Sequence, residues 1–495
     1  IDHSMSPVKF LTRLTNQGIT MELKKLLVAM TAASAAMLTA CGGDSSSSNS
    51  TSTPTTPSVT DNTCSVGVGK ELDTTYSVDG VDMPVCLLSG SILTDARLTT
   101  DYVYSMTDYV TVGDGAGELT SYDAPSEVTL TIDPGVAFRS TSKGTLIISR
   151  GSKILANGTA AAPIVMSSID DNYEGNKEWG GLVVQGFAKN NQCANEYAAT
   201  PEEICNTADE ADTGFHGGND DADNSGSISY LIVAEGGYEV VADSEINGIT
   251  MHSVGYGTTV ENVMVYNNYD DGIEFFGGSV NVKNLILVDN GDESIDWDDG
   301  YRGNIQFSLV RQGVTNAGDN GIEADNAGLS NTAEPVSNPT LSNITFQTAS
   351  EGSAYLMRAK VGTYGTLTKI AADNYAKAFR IADTETTVVL TDSLVEYTGM
   401  DAADTLRLDN GAAESQITGW GASSTSDNVA LGNAFEVTGG NGSVTASTAT
   451  SANASTGFFE ETDYIGAVDP TVTAAESAWW AWAADVIPAA FETEE

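Results

Sequence analysis

The sequence predicts an all-β protein that folds as a right-handed parallel β-helix (β-solenoid), and three observations support this prediction. Short β-branched runs broken by Gly, Asn and Asp recur along the chain, as at residues 128–132 and 145–148. Helical periodicity is almost absent from this part of the chain. An internal repeat with a first spacing of 22 residues orders the runs, and such a period is typical of stacked solenoid coils.

Residues 1–40 are predicted to be an upstream segment followed by a lipoprotein signal peptide. Met21 opens a typical export signal, with two lysines and then an apolar run to Ala40. The run ends in Leu38-Thr-Ala-Cys41, which resembles a lipobox, so Cys41 is the expected lipidation site and membrane anchor. An ordinary cleaved signal with a chance cysteine is the alternative. Gly42, rather than Asp, favours the outer membrane, on its periplasmic or cell-surface side.

The rest of the chain divides into four predicted regions. Residues 41–63 are rich in Ser and Thr and are expected to form a lipid-anchored linker, because this composition buries too little apolar area to fold. Residues 64–123 are expected to cap the first coil, and residues 124–470 to form the β-helix. Residues 471–495 are aromatic and apolar, and they are expected to fold over the last coil as a C-terminal cap.

The four cysteines that follow Cys41 form two close pairs. They are Cys64 with Cys86 and Cys193 with Cys205. An even number of cysteines in an exported chain predicts disulfides.

Metal binding by cysteine and histidine is not predicted. No CxxC spacing occurs, and only His216 and His252 remain once the leader is removed. His252 is expected to be a surface residue of its strand rather than a catalytic group.

The strongly negative charge excludes some partners. The formal net charge is −47, and removal of the predicted leader makes it −49. Such a surface repels nucleic acid and anionic lipid, so these are not expected partners. The charge suits divalent cations and cationic or neutral partners, or it adapts the protein to a saline medium.

The repeat consists of two ladders of short strands. The first aligns the apolar residues Val263, Leu285, Phe307, Ile344 and Ile370. The second contains Asp271-Gly-Ile-Glu274, Glu293-Ser-Ile-Asp296 and Asn320-Gly-Ile-Glu323, and its three isoleucines, Ile273, Ile295 and Ile322, are expected to stack as one interior column. A leucine-rich repeat is a weaker alternative because its helical half is missing.

Acidic side chains accumulate where the repeat is most regular. The acid after each core isoleucine should point outward, which predicts a column of Glu274, Asp296 and Glu323 that Arg380 and Arg407 continue. Carboxylates on adjacent coils would lie only ~5 Å apart and repel one another. Bound Ca²⁺, a solvated face, or proton sharing for acid/base chemistry could relieve this repulsion. The candidate metal ligands are Asp270, Asp271, Glu274, Asp292, Glu293, Asp296, Asp298, Asp299, Asp319 and Glu323, with Asp325 nearby.

A second candidate calcium loop precedes the strand at residues 228–233. Asp221-Ala-Asp223-Asn-Ser-Gly226 follows the first half of a calcium loop, but Ile232 stands where the closing acid is required. An ordinary turn is the alternative.

Several short motifs recur in a characteristic combination. They are Glu178-Trp-Gly-Gly-Leu182, Asp223-Asn-Ser-Gly226, Glu245-Ile-Asn-Gly248, Gly257-Thr-Thr259, Asp270-Asp-Gly-Ile-Glu-Phe-Phe-Gly-Gly278 and Asp296-Trp297. Together they resemble a group of uncharacterised β-helix lipoproteins from marine and Bacteroidetes-type bacteria. The resemblance covers residues 64–470 and implies a fold and an envelope location, but no activity. The wider superfamily includes pectate lyases, polygalacturonases and adhesins, to which the similarity is architectural.

Three functions remain open. The first hypothesis is a non-enzymatic, calcium-stabilised lipoprotein that binds polysaccharide or mediates adhesion to surfaces or envelope proteins, with sugars stacked on Phe275, Phe276, Trp297 and Tyr301. The second is a polysaccharide lyase, with Lys283 or Arg302 as base, or a glycoside hydrolase using Asp271, Asp292 and Glu293. The third is an accessory subunit of an outer-membrane transporter.

Overall fold

The computed structural model describes most of the chain after residue 63. The predicted leader, the lipidation site Cys41 and the linker 41–63 lie outside the described residues, all of which fall in one compact unit, residues 61–495. No helix in the described part combines the length and the apolar character needed to cross a membrane. The described residues are 64, 68–78, 80–123, 125–170, 172–193, 204–242, 244–313, 318–326, 330–348, 355–396, 405–420, 429–438 and 442–492.

Strands dominate the described residues. The N-terminal strands are β1 (Lys70–Val78), β2 (Val81–Leu87), β3 (Gly90–Ile92), β4 (Ala96–Leu98), β5 (Val103–Ser105), β6 (Tyr109–Val112), β7 (Thr129–Ile132), β8 (Ala137–Ser140), β9 (Thr145–Ile148), β10 (Lys153–Asn157), β11 (Ile164–Ser168), β12 (Leu182–Gln185), β13 (Thr207–Ala208) and β14 (Phe215–His216). The central strands are β15 (Gly226–Ala234), β16 (Glu239–Val241), β17 (Ser244–Glu245), β18 (Ile249–His252), β19 (Thr259–Tyr266), β20 (Ile273–Phe276), β21 (Asn281–Val288), β22 (Ile295–Asp298), β23 (Asn304–Gln312), β24 (Ile322–Ala324), β25 (Thr340–Thr348) and β26 (Tyr355–Ala359).

The C-terminal part adds further strands and very little helix. The strands are β27 (Tyr364–Asp373), β28 (Lys377–Ala382), β29 (Thr387–Thr391), β30 (Leu394–Val395), β31 (Leu406–Asp409), β32 (Ile417–Thr418), β33 (Ser443–Ser447) and β34 (Thr462–Tyr464). The helical elements are a four-residue helix α1 (Ala481–Ala484) and short 3₁₀ turns at Glu210–Asp212, Glu414–Gln416, Ala475–Ser477 and Pro488–Phe491.

Two long sheets run through the described residues and confirm the predicted parallel β-helix. One has 17 strands and the other has 11. From β18 to β31 the strands of the 11-stranded sheet pair in parallel, each with its counterpart one coil later. The long strands of the 17-stranded sheet stack in the same way from β15 to β27. Residues far apart in sequence therefore become neighbours on adjacent coils.

Each long strand bends at one residue in the left-handed conformation, which gives the coil its third side. In β19, β21 and β25 this residue is asparagine: Asn262 (φ 53°), Asn284 (φ 58°) and Asn343 (φ 56°). Asparagine tolerates this region better than most side chains. The Asn284 amide also donates to Asn262 Oδ1 on the preceding coil at 3.1 Å. The bend thus repeats from coil to coil.

The predicted isoleucine column is confirmed. Ile273 pairs with Ile295, which pairs with Ile322, and all three are fully buried in the interior. The first ladder is also confirmed except at Phe307. There Ser308 is in register with Leu285, because Phe307 itself is the left-handed bend residue (φ 60°) of β23. The spacing at this coil is therefore one residue longer than the repeat predicts.

The N-terminal cap is smaller than predicted. Strand β2 pairs antiparallel with β1 but parallel with β5, and β3 pairs parallel with β6, so coils begin within residues 64–123. Both predicted disulfides are present. Cys64 is bonded to Cys86 with a Cα–Cα distance of 5.9 Å, and Cys193 is bonded to Cys205 with a distance of 5.6 Å.

The C-terminal segment lies differently from the expected cap. Described residues between 429 and 492 pack along the outer side of the 17-stranded sheet rather than only over the last coil. Trp480, Trp482 and Phe435 share one buried cluster with side chains from four successive coils, Ile232, Met264, Ile286 and Leu309. We call described residues 429–438 and 442–492 the lateral tail. It covers apolar side chains that the coils would otherwise expose.

Candidate functional site

The predicted charged column exists on the outer side of the 11-stranded sheet. Each member pairs in register with the next, one coil further along, so the column changes from acidic to basic. The order is Glu274, Asp296, Glu323, Arg358, Arg380 and Arg407. Arg358 thereby takes its place between the acids and the two arginines that the sequence placed in the column.

Further carboxylates surround the acidic end of this column, and we call the whole set the acidic ledge. Carboxylate oxygens approach within 4.8 Å of one another in three overlapping triads. They are Asp270–Asp271–Asp292, Asp271–Glu274–Asp296 and Asp292–Glu293–Asp319. The ledge consists of Asp270, Asp271, Glu274, Asp292, Glu293, Asp296, Asp298, Asp299, Asp319, Glu323 and Asp325.

Burial and mutual repulsion raise the pKa of many ledge carboxyls. Burial is the largest cause for Asp271 and Glu274, and neighbouring acids add to it, so both pKa values lie well above the usual range. The pKa of Asp270 rises to about 8 and that of Asp299 to about 6 for the same reasons. Protons or cations must therefore balance the charge of the ledge.

Hydrogen bonds fix several ledge carboxyls in place. Asp271 Oδ1 accepts from the Glu293 amide at 2.9 Å, which joins two coils. The Asn247 and Asn320 side-chain amides donate to Glu274 and Glu293, both at 2.5 Å. The Asn247 oxygen is buried beside Glu274 and has no hydrogen-bond partner among the described residues.

These ligands fit a hard divalent cation. Carboxylate and amide oxygens are the ligands that Ca²⁺ prefers, and it takes six to eight of them. The triad of Asp271, Glu274 and Asp296, with the Asn247 oxygen beside Glu274, offers this chemistry. Metal binding by the ledge stays a prediction.

The basic end of the column neutralises the ledge from the other side. Arg358 pairs with Glu323 at 2.8 Å, and Lys360 contacts both Glu323 and Asp325. Although burial acts in the opposite direction, Asp325 and Glu323 raise the pKa of Lys360, so its amine stays protonated. On the next two coils, Arg380 and Arg407 share Asp409 at 2.8 and 3.0 Å.

The fold and this geometry agree with a comparison against known families. The model for the pectate-lyase-like β-helix domain matches residues 90–453. The chain belongs to the pectate-lyase-like β-helix family. Searches of the curated proteins and of the solved structures give no significant match. The family match thus supports the fold and leaves the site to be interpreted from its own residues.

Within this pectate-lyase-like β-helix, the two proposed basic catalysts are engaged outside the acidic ledge. Lys283 lies on the 17-stranded sheet, where its Nζ donates to the Phe458 carbonyl and pairs with Glu460. Arg302 forms two hydrogen bonds of 3.1 Å with Asp221. Both cations therefore serve contacts within the protein.

In the second candidate calcium loop, Asp221 and Asp223 do not form a common cluster of carboxylate ligands among the described residues. Burial raises the pKa of Asp221, but the bonds to Arg302 outweigh it and lower the pKa overall. Burial raises the pKa of Asp223 to about 6, and Ser225 donates to its carboxylate at 3.2 Å. Arg302 already neutralises Asp221, so this loop is a weaker candidate than the ledge.

Most of the predicted sugar platform is in the interior. Phe275, Trp297 and Tyr301 are fully buried, and Phe275 stacks on Tyr301 with ring centroids 4.2 Å apart. Phe276 is half-buried and stacks on His252. The three fully buried rings stabilise the coils and are closed to a sugar ring.

The structure adds acidic groups that the sequence did not indicate. Glu210 belongs to an insertion between coils, yet it faces the ledge and repels Asp270 and Glu274. Burial and Glu245 raise the pKa of Glu210 to about 7. A separate acidic triad joins Asp170, Glu178 and Glu235. No periodic signal marks Glu210, because insertions have no register with the coils.

One histidine prediction is wrong. His252 was expected at the surface of its strand, but it is only 1% exposed. The insertion between β12 and β15 covers this end of β18 and brings Asp209 and His216 against the ring.

Proposed function

We propose that this chain is an envelope lipoprotein whose β-helix binds extracellular polysaccharide, with Ca²⁺ held in the acidic ledge. The observation that carries the proposal is the convergence of Asp271, Glu274 and Asp296 within 4.8 Å, next to a continuous row of arginines. A cation-rich strip beside a calcium site offers two kinds of contact to carboxylate or hydroxyl groups of a glycan.

Electrostatics support Ca²⁺ rather than a bare ledge. Burial is the largest cause of the raised pKa values of Glu274, Glu293 and Asp296, and repulsion from neighbouring acids adds to it. A divalent cation relieves this repulsion without protonation. Calcium also tolerates irregular coordination, which suits ligands spread over three coils.

The basic end of the column supports binding of an extended chain. Arg380 and Arg407 are partly exposed, with side-chain exposures of 28% and 50%, and they lie one coil apart. The ~4.8 Å repeat of the coils is close to the length of one sugar residue, so regularly spaced contacts can follow a linear glycan.

The envelope location rests on residues outside the described part of the chain. The lipobox-like segment ending in Cys41 supports lipid anchoring to the outer membrane. Membership of the group of β-helix lipoproteins from marine and Bacteroidetes-type bacteria is part of the same proposal. Neither the 1–40 leader nor the linker enters the binding argument.

Catalysis by the same site is the competing proposal, and membership of the pectate-lyase-like β-helix family is compatible with it. A lyase needs a basic group beside the calcium, but Lys360 has a raised pKa and Arg358 is paired with Glu323. The geometry thus favours binding over bond cleavage.

The experiment combines a glycan array with a turnover assay. The full chain is applied to acidic and neutral polysaccharides in Ca²⁺ and in EGTA, and released unsaturated or reducing ends are measured in parallel. We expect Ca²⁺-dependent binding without turnover, weakened about tenfold or more by Arg380→Gln, because a partly exposed charged contact contributes about 1.5 kcal/mol.

A matched control keeps the charge change away from the site. Arg97 is an exposed arginine that pairs with Asp133 on the 17-stranded sheet, so Arg97→Gln should leave glycan binding unchanged. Released sugar ends that disappear in Asp292→Asn would replace the binding proposal by the enzymatic one. Absence of any glycan signal would reject both.

A further inference from the structure

A second cluster of polar side chains lies at the C-terminal ends of strands β12 and β18 in the 11-stranded sheet. His252 ends strand β18, and the insertion between β12 and β15 crosses over it. This insertion contributes Asp209, just before a 3₁₀ turn, and His216, at the end of β14. All three side chains are shielded from solvent, with side-chain exposures of 2% or less.

The three side chains direct one ligand atom each towards a common point. His216 Nε2 lies 3.9 Å from Asp209 Oδ1, and His252 Nε2 lies 3.9 Å from Asp209 Oδ2. The three ligand atoms fall within 4.8 Å of one another. Zinc bonds of about 2.0–2.1 Å in a tetrahedral site place ligand atoms about 3.3 Å apart. Small side-chain rotations would therefore close the set around one ion.

Neighbouring groups orient two of the three ligands. His216 Nδ1 lies 2.8 Å from Ser253 Oγ, which leaves its Nε2 facing Asp209. Thr213 Oγ1 donates to Asp209 Oδ2 at 3.1 Å, and the Gln185 amide donates to the same oxygen. A hydrogen bond from the far nitrogen of a histidine, or to a carboxylate, is typical of the outer partners in metal sites.

Unpartnered polar atoms give an independent sign that a ligand belongs here. Asp209 Oδ1, His252 Nδ1 and Gln185 Oε1 are all buried without a hydrogen-bond partner in the described structure. Buried polar atoms are almost always satisfied, so an unpartnered buried carboxylate oxygen needs an explanation. A cation held between Asp209 and the two histidines would give Asp209 Oδ1 its partner.

We propose that Asp209, His216 and His252 bind one transition-metal dication, best fitted by Zn²⁺, in a structural site. Two imidazoles and one carboxylate suit zinc, whereas calcium takes oxygen ligands alone. The ion joins the insertion to the coil, because Asp209 and His216 belong to the insertion and His252 belongs to β18. The Cys193–Cys205 disulfide closes the same insertion, with Cys205 Sγ 3.8 Å from the His216 carbonyl.

The ionisation of the two rings agrees with this role. Burial lowers the pKa of His216 well below its usual value, and the charges of His252 and Arg150 lower it further. Burial also lowers the pKa of His252, although Asp209 acts in the opposite direction. Neutral imidazole is the form that coordinates a metal.

The test exploits how few histidines the chain has. The full-length protein contains three, of which two are in the proposed site. The chain is expressed with added ZnSO₄, dialysed against chelator-free buffer containing CaCl₂ so that calcium competes for the acidic ledge, and assayed for bound metal by mass spectrometry. X-ray absorption at the zinc edge then counts imidazole ligands. We expect about one zinc per chain with two imidazoles, supplied by His216 and His252.

Variants locate the ion and separate this site from the ledge. Asp209→Asn and His252→Asn should each weaken zinc binding more than about 100-fold, since even outer partners of metal ligands contribute 10–100-fold. Glu274→Gln is the matched control and should keep the zinc while it alters the response to calcium. If a variant does not fold, the absorption spectrum of the unaltered protein still decides. Zinc without imidazole ligands, or no retained zinc, would overturn the proposal.

Discussion

In the absence of divalent cations, the free energy of unfolding should decrease as the pH rises from 4 to 8. Ledge carboxyls have higher pKa values in the folded chain than in the unfolded chain. Within this window the folded state holds protons that the unfolded state has lost, so stability falls with increasing pH. This is the reverse of the usual behaviour of ion-paired carboxylates. The main cause is the burial of these acids, and repulsion from neighbouring acids adds to it.

The size of the effect follows from individual groups. The pKa of Asp299 rises from 3.8 to about 6 because the side chain is buried and lies near Asp325. At 1.36 kcal/mol per pH unit this shift corresponds to about 3 kcal/mol. Asp325, also raised to about 6, contributes a similar amount, reduced by its coupling to Asp299. We expect these two groups together to account for a loss of about 3 to 6 kcal/mol in EGTA.

Calcium should flatten this pH profile. An ion bound at 100 times its dissociation constant stabilises the folded state by about 2.7 kcal/mol, and it binds more tightly as the carboxylates deprotonate. The assay is guanidinium unfolding, followed by tryptophan fluorescence, at a series of pH values in Ca²⁺ and in EGTA. Asp299→Asn should remove about 3 kcal/mol of the decline in EGTA.

The control and the refuting result are both defined. Glu261 is an exposed acid on the 17-stranded sheet, so Glu261→Gln should leave the pH profile unchanged. If the free energy of unfolding in EGTA stays constant or increases between pH 4 and 8, the ledge carboxyls do not have raised pKa values in the folded protein. The calcium proposal would then lose its electrostatic basis.

Three further predictions concern the coils. Ile295→Ala should lower the free energy of unfolding by about 3 to 4 kcal/mol, measured by denaturant titration, because it empties part of a fully buried column. Asn284→Val should cost about 1–2 kcal/mol in the same assay because its φ is 58°, while Asn284→Gly should be nearly neutral apart from the lost bond to Asn262. Trp480→Ala should leave the coils folded but speed amide hydrogen exchange in the lateral tail, since Trp480 packs against Phe435 and Phe491.

The coil repeat could be predicted because stacked coils impose a period on the sequence. Ile273, Ile295 and Ile322 face the same interior, so each position selects the same kind of side chain. The charged column follows from the alternation of a strand, one residue further on. The register was predicted wrongly at Phe307 because this aromatic residue occupies the bend position, where the two adjacent coils have Asn284 and Asn343.

The lateral tail left a signal that periodicity alone did not resolve. Residues 231–234, 263–266 and 285–288 are apolar without alternation, and a strand of this kind has both faces covered. Leu231 indeed points into the interior cluster, whereas Ile232 points into the cluster with the tail. The sequence could indicate that something covers these strands, but not which segment does so.

The histidine site shows where a repeat-based argument stops. Asp209 and His216 lie in an insertion with no register to the coils, so no spacing relates them to His252. Their meeting depends on how the insertion folds back over the sheet. A count of histidines suggested too few ligands for a metal, because it ignored a carboxylate as the third one.

The lateral tail affects how the coils of this protein unfold. In a plain solenoid each coil touches only the next, so the end coils can unravel one at a time. Here one ribbon of residues spans several coils, from Ile232 to Leu309 in one cluster and to Ala371 in another. If any one of these coils unfolds, it exposes apolar side chains of the lateral tail, and the same tail packs against distant coils. The described coils that the tail covers should therefore unfold cooperatively rather than one at a time.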